Sequence, residues 1–253
     1  KKPFHILLLT ALRILPVYRT SEGVENLSEN YRTFEECIGI FRKNGIINIF
    51  SEGKCVNEWY LRPLKKGTAR LALKAWEENI PLKVLPVGIN YSSFFRFGKN
   101  IFLNFGEIIE QDHIKKMEAA GHRHPSFNTI LSQQLQQLVF EIPGSEKQLQ
   151  KQKLVIKQPL LKKIILALPA IAGWIMHAPL YYTVKGFTAK KTRETGHYDS
   201  VMTAILLFSY PLYLLALVPL LVLFTGSIWV LSLFFWMPLC AGALVQLKPQ
   251  LDH

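Results

Sequence analysis

Apolar and polar positions change rhythm along the chain. Up to about residue 145, short apolar runs alternate with amphipathic stretches; from Ile164 onward the apolar positions become almost continuous. In the first part the runs Ile46–Phe50, Lys83–Asn90 and Asn100–Phe105 are bounded by Gly, Pro or Asn and predict β-strands, whereas Ile6–Leu9 is too short to assign. Between them Tyr31, Phe34, Ile38 and Phe41 recur at helical spacing, with Ser28 placed to cap the start and Gly45 the end. A second helix is predicted from Thr68 to Asn79, with Leu71, Ala75 and Trp76 on one side. His113 to Phe140 reads as a polar, solvated helical region, and residues 145–163 as a Lys/Gln-rich connector. Strands alternating with helices predict an α/β domain over residues 1–145 with a mainly parallel sheet covered on both faces, its chemistry in the loops at the strand ends.

The second part predicts C-terminal membrane helices. Ile164 to Val184 holds 21 residues without Asp, Glu, Lys or Arg, enough to span a bilayer, although Pro169 and Pro179 interrupt it. Val201 to Leu247 is a longer uncharged stretch broken at Thr225-Gly226-Ser227, which divides it into a transmembrane hairpin. The basic connector, residues 146–163, precedes the first segment and a basic loop, 185–200, follows it. With positive charge on both flanks, an interfacial or re-entrant segment 164–184 lets both basic stretches and Lys248 face the cytoplasm; a spanning one translocates one flank.

Charge narrows the partners. The chain carries 30 Lys and Arg against 18 Asp and Glu, a formal +12, with 49% hydrophobic residues. Anionic partners are expected, and the span-length apolar runs favour membrane lipid over nucleic acid. Cys37, Cys55 and Cys240 have neither metal-ligand spacing nor the density of a disulfide framework, so no metal is expected and the thiols read as reduced.

One loop concentrates candidate chemistry. Phe50 closes an apolar run, Ser51-Glu52-Gly53 leaves it, and Lys54, Arg62, Lys65 and Lys66 follow before Gly67 and the next helix. Cations and backbone amides at a helix start can converge on one anion such as phosphate. Glu52 can then hydrogen-bond a substrate hydroxyl or hold one of the cations.

Two further stretches share this context: Ile14-Leu15-Pro16-Val17-Tyr18-Arg19 upstream and Val84-Leu85-Pro86-Val87-Gly88-Ile89 downstream. In order and spacing the three resemble the glycerolipid acyltransferase family that includes lysophosphatidate acyltransferases. There one block ends an apolar run with Arg, the next reads Phe-Pro-Glu-Gly followed by Lys-Lys-Gly, and the last is an apolar strand containing Pro. Arg19 matches the first, Phe50, Glu52, Gly53 and Lys65-Lys66-Gly67 the second, and Pro86 the third, over about residues 1–110. The resemblance implies acyl transfer from acyl-CoA or acyl carrier protein, as co-substrate and without a further cofactor, to a glycerol-phosphate-type hydroxyl. It implies that Arg19 and the Glu52-Gly53 loop bind the acceptor and its phosphate, with the catalytic domain on the cytoplasmic face. Ser51 stands in place of Pro, and Lys54-Cys55 where Thr-Arg is common, which leaves Lys54 or Arg62 to supply that charge. Lys lacks the planar fork that grips phosphate bidentately.

The family also has a His-x4-Asp, whose His serves as general base, upstream of the Arg block. No such pair occurs in these 253 residues: His5 is followed by Thr10, and the nearest imitation, His113 with Glu118, lies downstream of every block. The catalytic dyad is therefore expected upstream of Lys1, in an N-terminally truncated chain that by itself turns over nothing. The competing expectation is a non-catalytic, membrane-anchored lipid-binding protein with the same fold. Phe94, Phe95 and Phe97 fit an acyl-chain groove, lipid insertion or ordinary packing equally well, and oligomeric state is not legible.

Overall fold

Helix α1, Leu27–Phe41, covers the apolar spacing that predicts it, with Ile38 fully buried, Phe34 and Phe41 partly so, and Tyr31 turned outward. Ser28 falls inside the first turn instead of ahead of it. At the other end Asn44, not Gly45, adopts the left-handed conformation, at φ 55°. Gly45 N–H reaches back to the Ile40 carbonyl at 2.9 Å and Asn44 N–H to that of Phe41 at 2.9 Å, a Schellman cap. Gly45 is required for closeness: a Cβ there would lie 2.4 Å from Ile40 Cγ2. Helix α2, Gly67–Glu77, ends the same way, with Asn79 at φ 59° and Ile80 N–H on the Ala75 carbonyl at 2.9 Å.

The computed structural model describes residues 7, 9–17, 27–54, 56–115, 123–192 and 196–252, which fall into two compact units. The first comprises Lys1–Lys54, Leu61–Val87 and Phe105–Leu138; the second comprises Cys55–Tyr60, Gly88–Asn104 and Val139–His253.

Strands β1, Val87–Tyr91, and β2, Ile101–Phe105, form a hairpin. Ser92 N–H bonds the Asn100 carbonyl and Gly106 N–H the Pro86 carbonyl, so numbers climb on one strand as they fall on the other. Val84 bridges Ile109 in the same antiparallel sense. Among the described residues this two-stranded antiparallel sheet replaces the expected mainly parallel one. Pro86, which has no N–H to donate, separates the Val84 bridge from β1. Ile46–Phe50, expected as a strand, carries no ladder, and Ile46 and Phe50 are exposed.

The first unit closes over two apolar clusters. In one, α2 gives Ala69, Ala72, Leu73 and Trp76, and helix α4, Arg123–Leu138, gives Phe127, Leu131 and Leu135; Ile109 and, from the short helix α3, Gln111–Lys115, Ile114 complete it. The region expected to be a solvated helix thus buries one face at i, i+4 spacing, leaving its Gln residues to the other. The other cluster joins Cys37 and Ile38 to Leu71 and Ala75, with Leu15 and Ile47 against them. Burial there pushes the Cys37 thiol pKa up.

In the second unit helix α5, Lys147–Leu154, lies within the expected connector yet buries Leu154 and Gln150. Helix α6, Leu160–Thr192, is continuous through Pro169 and Pro179, so the segment 164–184 makes no re-entrant turn. Helix α7, Tyr198–Thr225, ends at Gly226 in the left-handed conformation; a 3-10 turn, Ile228–Ser232, then leads into helix α8, Leu233–Leu247. The break expected at Thr225-Gly226-Ser227 is where the chain turns. Three segments, Leu160–Thr192, Tyr198–Thr225 and Ile228–Leu247, are long and apolar enough to cross a membrane. A Cβ on Gly173 would lie 2.3 Å from the Cys240 carbonyl oxygen, so α6 and α8 touch backbone to backbone.

Candidate functional site

The stretch from Phe50 to Thr68 is held by four bonds within the first unit. Gly53 N–H donates to the Phe50 carbonyl at 3.3 Å, closing the turn, and Lys65 N–H donates to the Ser51 carbonyl at 2.7 Å. Arg62 N–H donates to Glu52 Oε1 at 3.3 Å, and the Ser51 and Thr68 hydroxyls share a bond of 2.8 Å. Ser51-Glu52-Gly53 is thus laid against the segment Arg62–Thr68 that starts α2. Gly53 has φ 67°, which glycine adopts without Cβ strain, and a Cβ there would meet Lys65 Cγ at 3.2 Å.

This geometry places the expected residues. Glu52, Gly53 and Arg62 are half-buried, while Lys54, Lys65 and Lys66 are exposed. Glu52 uses one carboxylate oxygen to fix the Arg62 backbone. Lys66 sits at the N-cap of α2 without a side-chain cap, and the first turn carries no acid, so the helix start keeps its positive field. Cations, amide donors and a carboxylate on one fixed loop can hold a phosphate and orient a neighbouring hydroxyl. Arg19 lies outside the described residues.

Sequence reading missed the part played by Ser51 and Thr68. Ser51 was legible only as a departure from Pro, and its hydroxyl partner seventeen positions away gives no local signal.

The three sequence blocks share one body of apolar packing. Leu15 of the first block lies against the cluster of Cys37, Ile38, Leu71 and Ala75, and the Pro16 carbonyl accepts the Thr33 hydroxyl at 2.7 Å. Ile47, just before the second block, packs on the same cluster. Leu82, leading into the third block, packs on both clusters and Val84 on the other.

Two of the described histidines are engaged elsewhere. His113 Nδ1 accepts the Glu110 N–H at 3.0 Å, while Glu118 lies outside the described residues. His177 is packed among the apolar helices, with its two ring nitrogens on the Gly173 carbonyl at 2.7 Å and the Tyr210 hydroxyl at 3.1 Å. His197 stands at the N-cap of α7.

Comparison with known proteins agrees with these blocks. Residues 1–90 match the family model Acyltransferase, in agreement with the resemblance that the blocks carry. The chain is 31% identical over 121 residues to Glycerol-3-phosphate O-acyltransferase 1 of Saccharomyces cerevisiae, covering 47% of this chain and 15% of that protein. It therefore spans a small part of the curated relative it matches. No solved structure matches the chain.

Proposed function

We propose that the protein is an O-acyltransferase of phospholipid synthesis that moves a fatty acyl group from acyl-CoA or acyl carrier protein to glycerol 3-phosphate or lysophosphatidate. The observation that carries this reading is the packing of all three blocks on shared apolar clusters, with the Glu52-Gly53 loop stapled to the start of α2. Glycerol 3-phosphate is the acceptor named in the matched yeast protein, and the cations of the Glu52 loop suit its phosphate.

In this account Arg19, Lys54, Arg62, Lys65 and Lys66 hold the acceptor phosphate, and Glu52 and Gly53 shape the loop around its glycerol hydroxyls. The hydroxyl oxygen attacks the thioester carbonyl carbon as a base takes its proton. The new C–O bond forms, the C–S bond breaks, and the thiolate leaves with a proton returned by that base. A His oriented by a carboxylate is the expected base, and the 253 residues contain no His-x4-Asp, so turnover requires a longer protein that supplies it. The three apolar helices hold this chemistry at the bilayer, with the acyltransferase domain on the cytoplasmic face, where acyl-CoA and lysophosphatidate are amphiphilic anions.

The test is transfer of labelled acyl chains from acyl-CoA or acyl carrier protein to each acceptor, run in parallel on the 253-residue chain and on the protein of the full reading frame. Activity in the longer protein alone supports the reading; activity in the 253-residue chain contradicts the assigned need for a base. Binding of lysophosphatidate without transfer in the longer protein establishes the non-catalytic lipid binder instead, a reading favoured by the other engagements of His113 and His177.

A further inference from the structure

A second basic cluster lies within the second unit, where the β1–β2 loop meets the segment after α8. The loop residues Ser92–Asn100 are tied to that segment repeatedly. Asp252 accepts the Ser93 hydroxyl and the Phe94 N–H, Arg96 Nε donates to the Leu251 carbonyl, and Asn100 Nδ2 donates to Gln250 Oε1. Gln250 is itself fixed by Ile156, accepting its N–H at 2.7 Å and donating to its carbonyl at 2.8 Å. Gly98, at φ 66°, lets the loop lie close to α8: a Cβ there would meet Val245 Cγ1 at 2.6 Å and Lys248 Nζ at 3.3 Å.

This docking brings Arg96, Lys99 and Lys248 together. Lys99 pairs with Asp199 at 2.9 Å, and its side chain is only 10% exposed. Lys248 is half-buried beside the Phe97 ring, 5.7 Å from its centroid, and among the described residues its ammonium has no hydrogen bond or ion pair. Burial first, then the neighbouring Arg96, and to a lesser extent Lys99, lower its pKa to about 8 against the opposing pull of Asp199. The Arg96 guanidinium is bonded among the described residues through Nε alone. Of the nearby acids, Asp199 serves Lys99, and both oxygens of Asp252 serve the loop. Two crowded cations without a counter-charge are costly when half-buried, and an anion between them removes that cost.

The source of the anion follows from position. Lys248 comes directly after a segment of span length, Ile228–Leu247, and so belongs at the level of lipid headgroups. Phe95 stacks near Tyr198 at 5.9 Å, and Phe94 near Trp59 at 4.8 Å, giving the loop the aromatic character of a bilayer interface. We propose that Arg96 and Lys248, held by the Ser92–Asn100 loop and the 248–252 segment, bind the phosphate of an anionic membrane phospholipid. The site lies wholly within the second unit and depends on the helices spanning a membrane, not on acyl transfer.

The test uses the detergent-purified chain with phosphatidylglycerol, phosphatidylcholine or glycerol 3-phosphate, reading bound lipid by native mass spectrometry. Phosphatidylglycerol is expected to bind in preference to phosphatidylcholine. Arg96→Gln and Lys248→Gln should each weaken it about tenfold, while Lys248→Arg and Lys151→Gln leave it unchanged. Melting profiles in phosphatidylcholine alone verify that the variants fold. Equal phosphatidylglycerol binding by wild type and both Gln variants overturns the site. Displacement by glycerol 3-phosphate at matching concentration overturns the membrane source and assigns a soluble phosphate ester.

Discussion

Helices α4 and α7 make opposite use of apolar residues. Helix α4 is rich in Gln, yet Phe127 is 0% exposed and Leu131 3%. Helix α7 is far more apolar, yet Leu223 is 83% exposed and Phe224 88%. Apolarity therefore does not measure burial inside the protein. It measures burial in whatever solvent surrounds the element: for α4 that is other side chains, while α7 is long and apolar enough to cross a membrane.

The largest effect expected from this contrast comes from truncating an apolar residue on each of the two helices. Phe127→Ala should destabilise the first unit by about 3–5 kcal/mol through lost burial and a cavity. Leu223→Ala, removing an exposed side chain, should leave the melting temperature in detergent nearly unchanged. Comparable losses in the two variants would break the distinction.

A smaller effect is expected where α6 and α8 do meet. Gly173→Ala forces a Cβ against the Cys240 backbone, which has no rotamer to yield, and should cost roughly 1–3 kcal/mol. Thermal unfolding of the detergent-solubilised chain reads this; wild-type behaviour would mean that the helices do not pack as described.

Gly53→Ala tests the site loop with a cost of about 1–2 kcal/mol from its left-handed backbone. It should also raise the acceptor concentration needed for half-maximal turnover more than that of the acyl donor. An equal change in both would assign the loop a role in general stability alone.

The smallest effect is a pH dependence. Between the lowered pKa of Lys248, about 8, and the ordinary 10.5, the unfolded chain keeps a proton that the folded chain has released. Stability therefore rises with pH across that window, and the penalty is fully present below it. Lys248→Gln should flatten this rise in melting temperature; an unaltered slope would assign it to other groups.

How much was legible in the sequence depended on the range of the interactions. Helices α1 and α2, the break near Gly226 and the uncharged runs follow from neighbours a few residues apart, and all were legible. The buried face of α4 was written at Phe127, Leu131 and Leu135 but masked by the Gln residues between them. Ile46–Phe50 looks like a strand because of its apolar character, yet a strand needs a partner, which a local run does not specify. The caps at Asn44 and Asn79 required φ > 0, and Gly45 drew attention because glycine is the commoner solution. The bonds from Asp252 to Ser93 and Phe94 bridge more than 150 positions and leave no periodic trace. At the site, Glu52, Gly53 and Lys65 stood out by type and spacing, whereas the Ser51–Thr68 bond emerged only with the fold.

The most direct test of the central claim is the steady-state kinetics of Glu52→Gln in the protein of the full reading frame, with acceptor and acyl donor varied separately. The account predicts a loss of turnover or a marked rise in the acceptor KM, with the donor KM little changed, because the substitution weakens the hold on Arg62 and the shape of the acceptor loop. Kinetics indistinguishable from wild type for both substrates would contradict it.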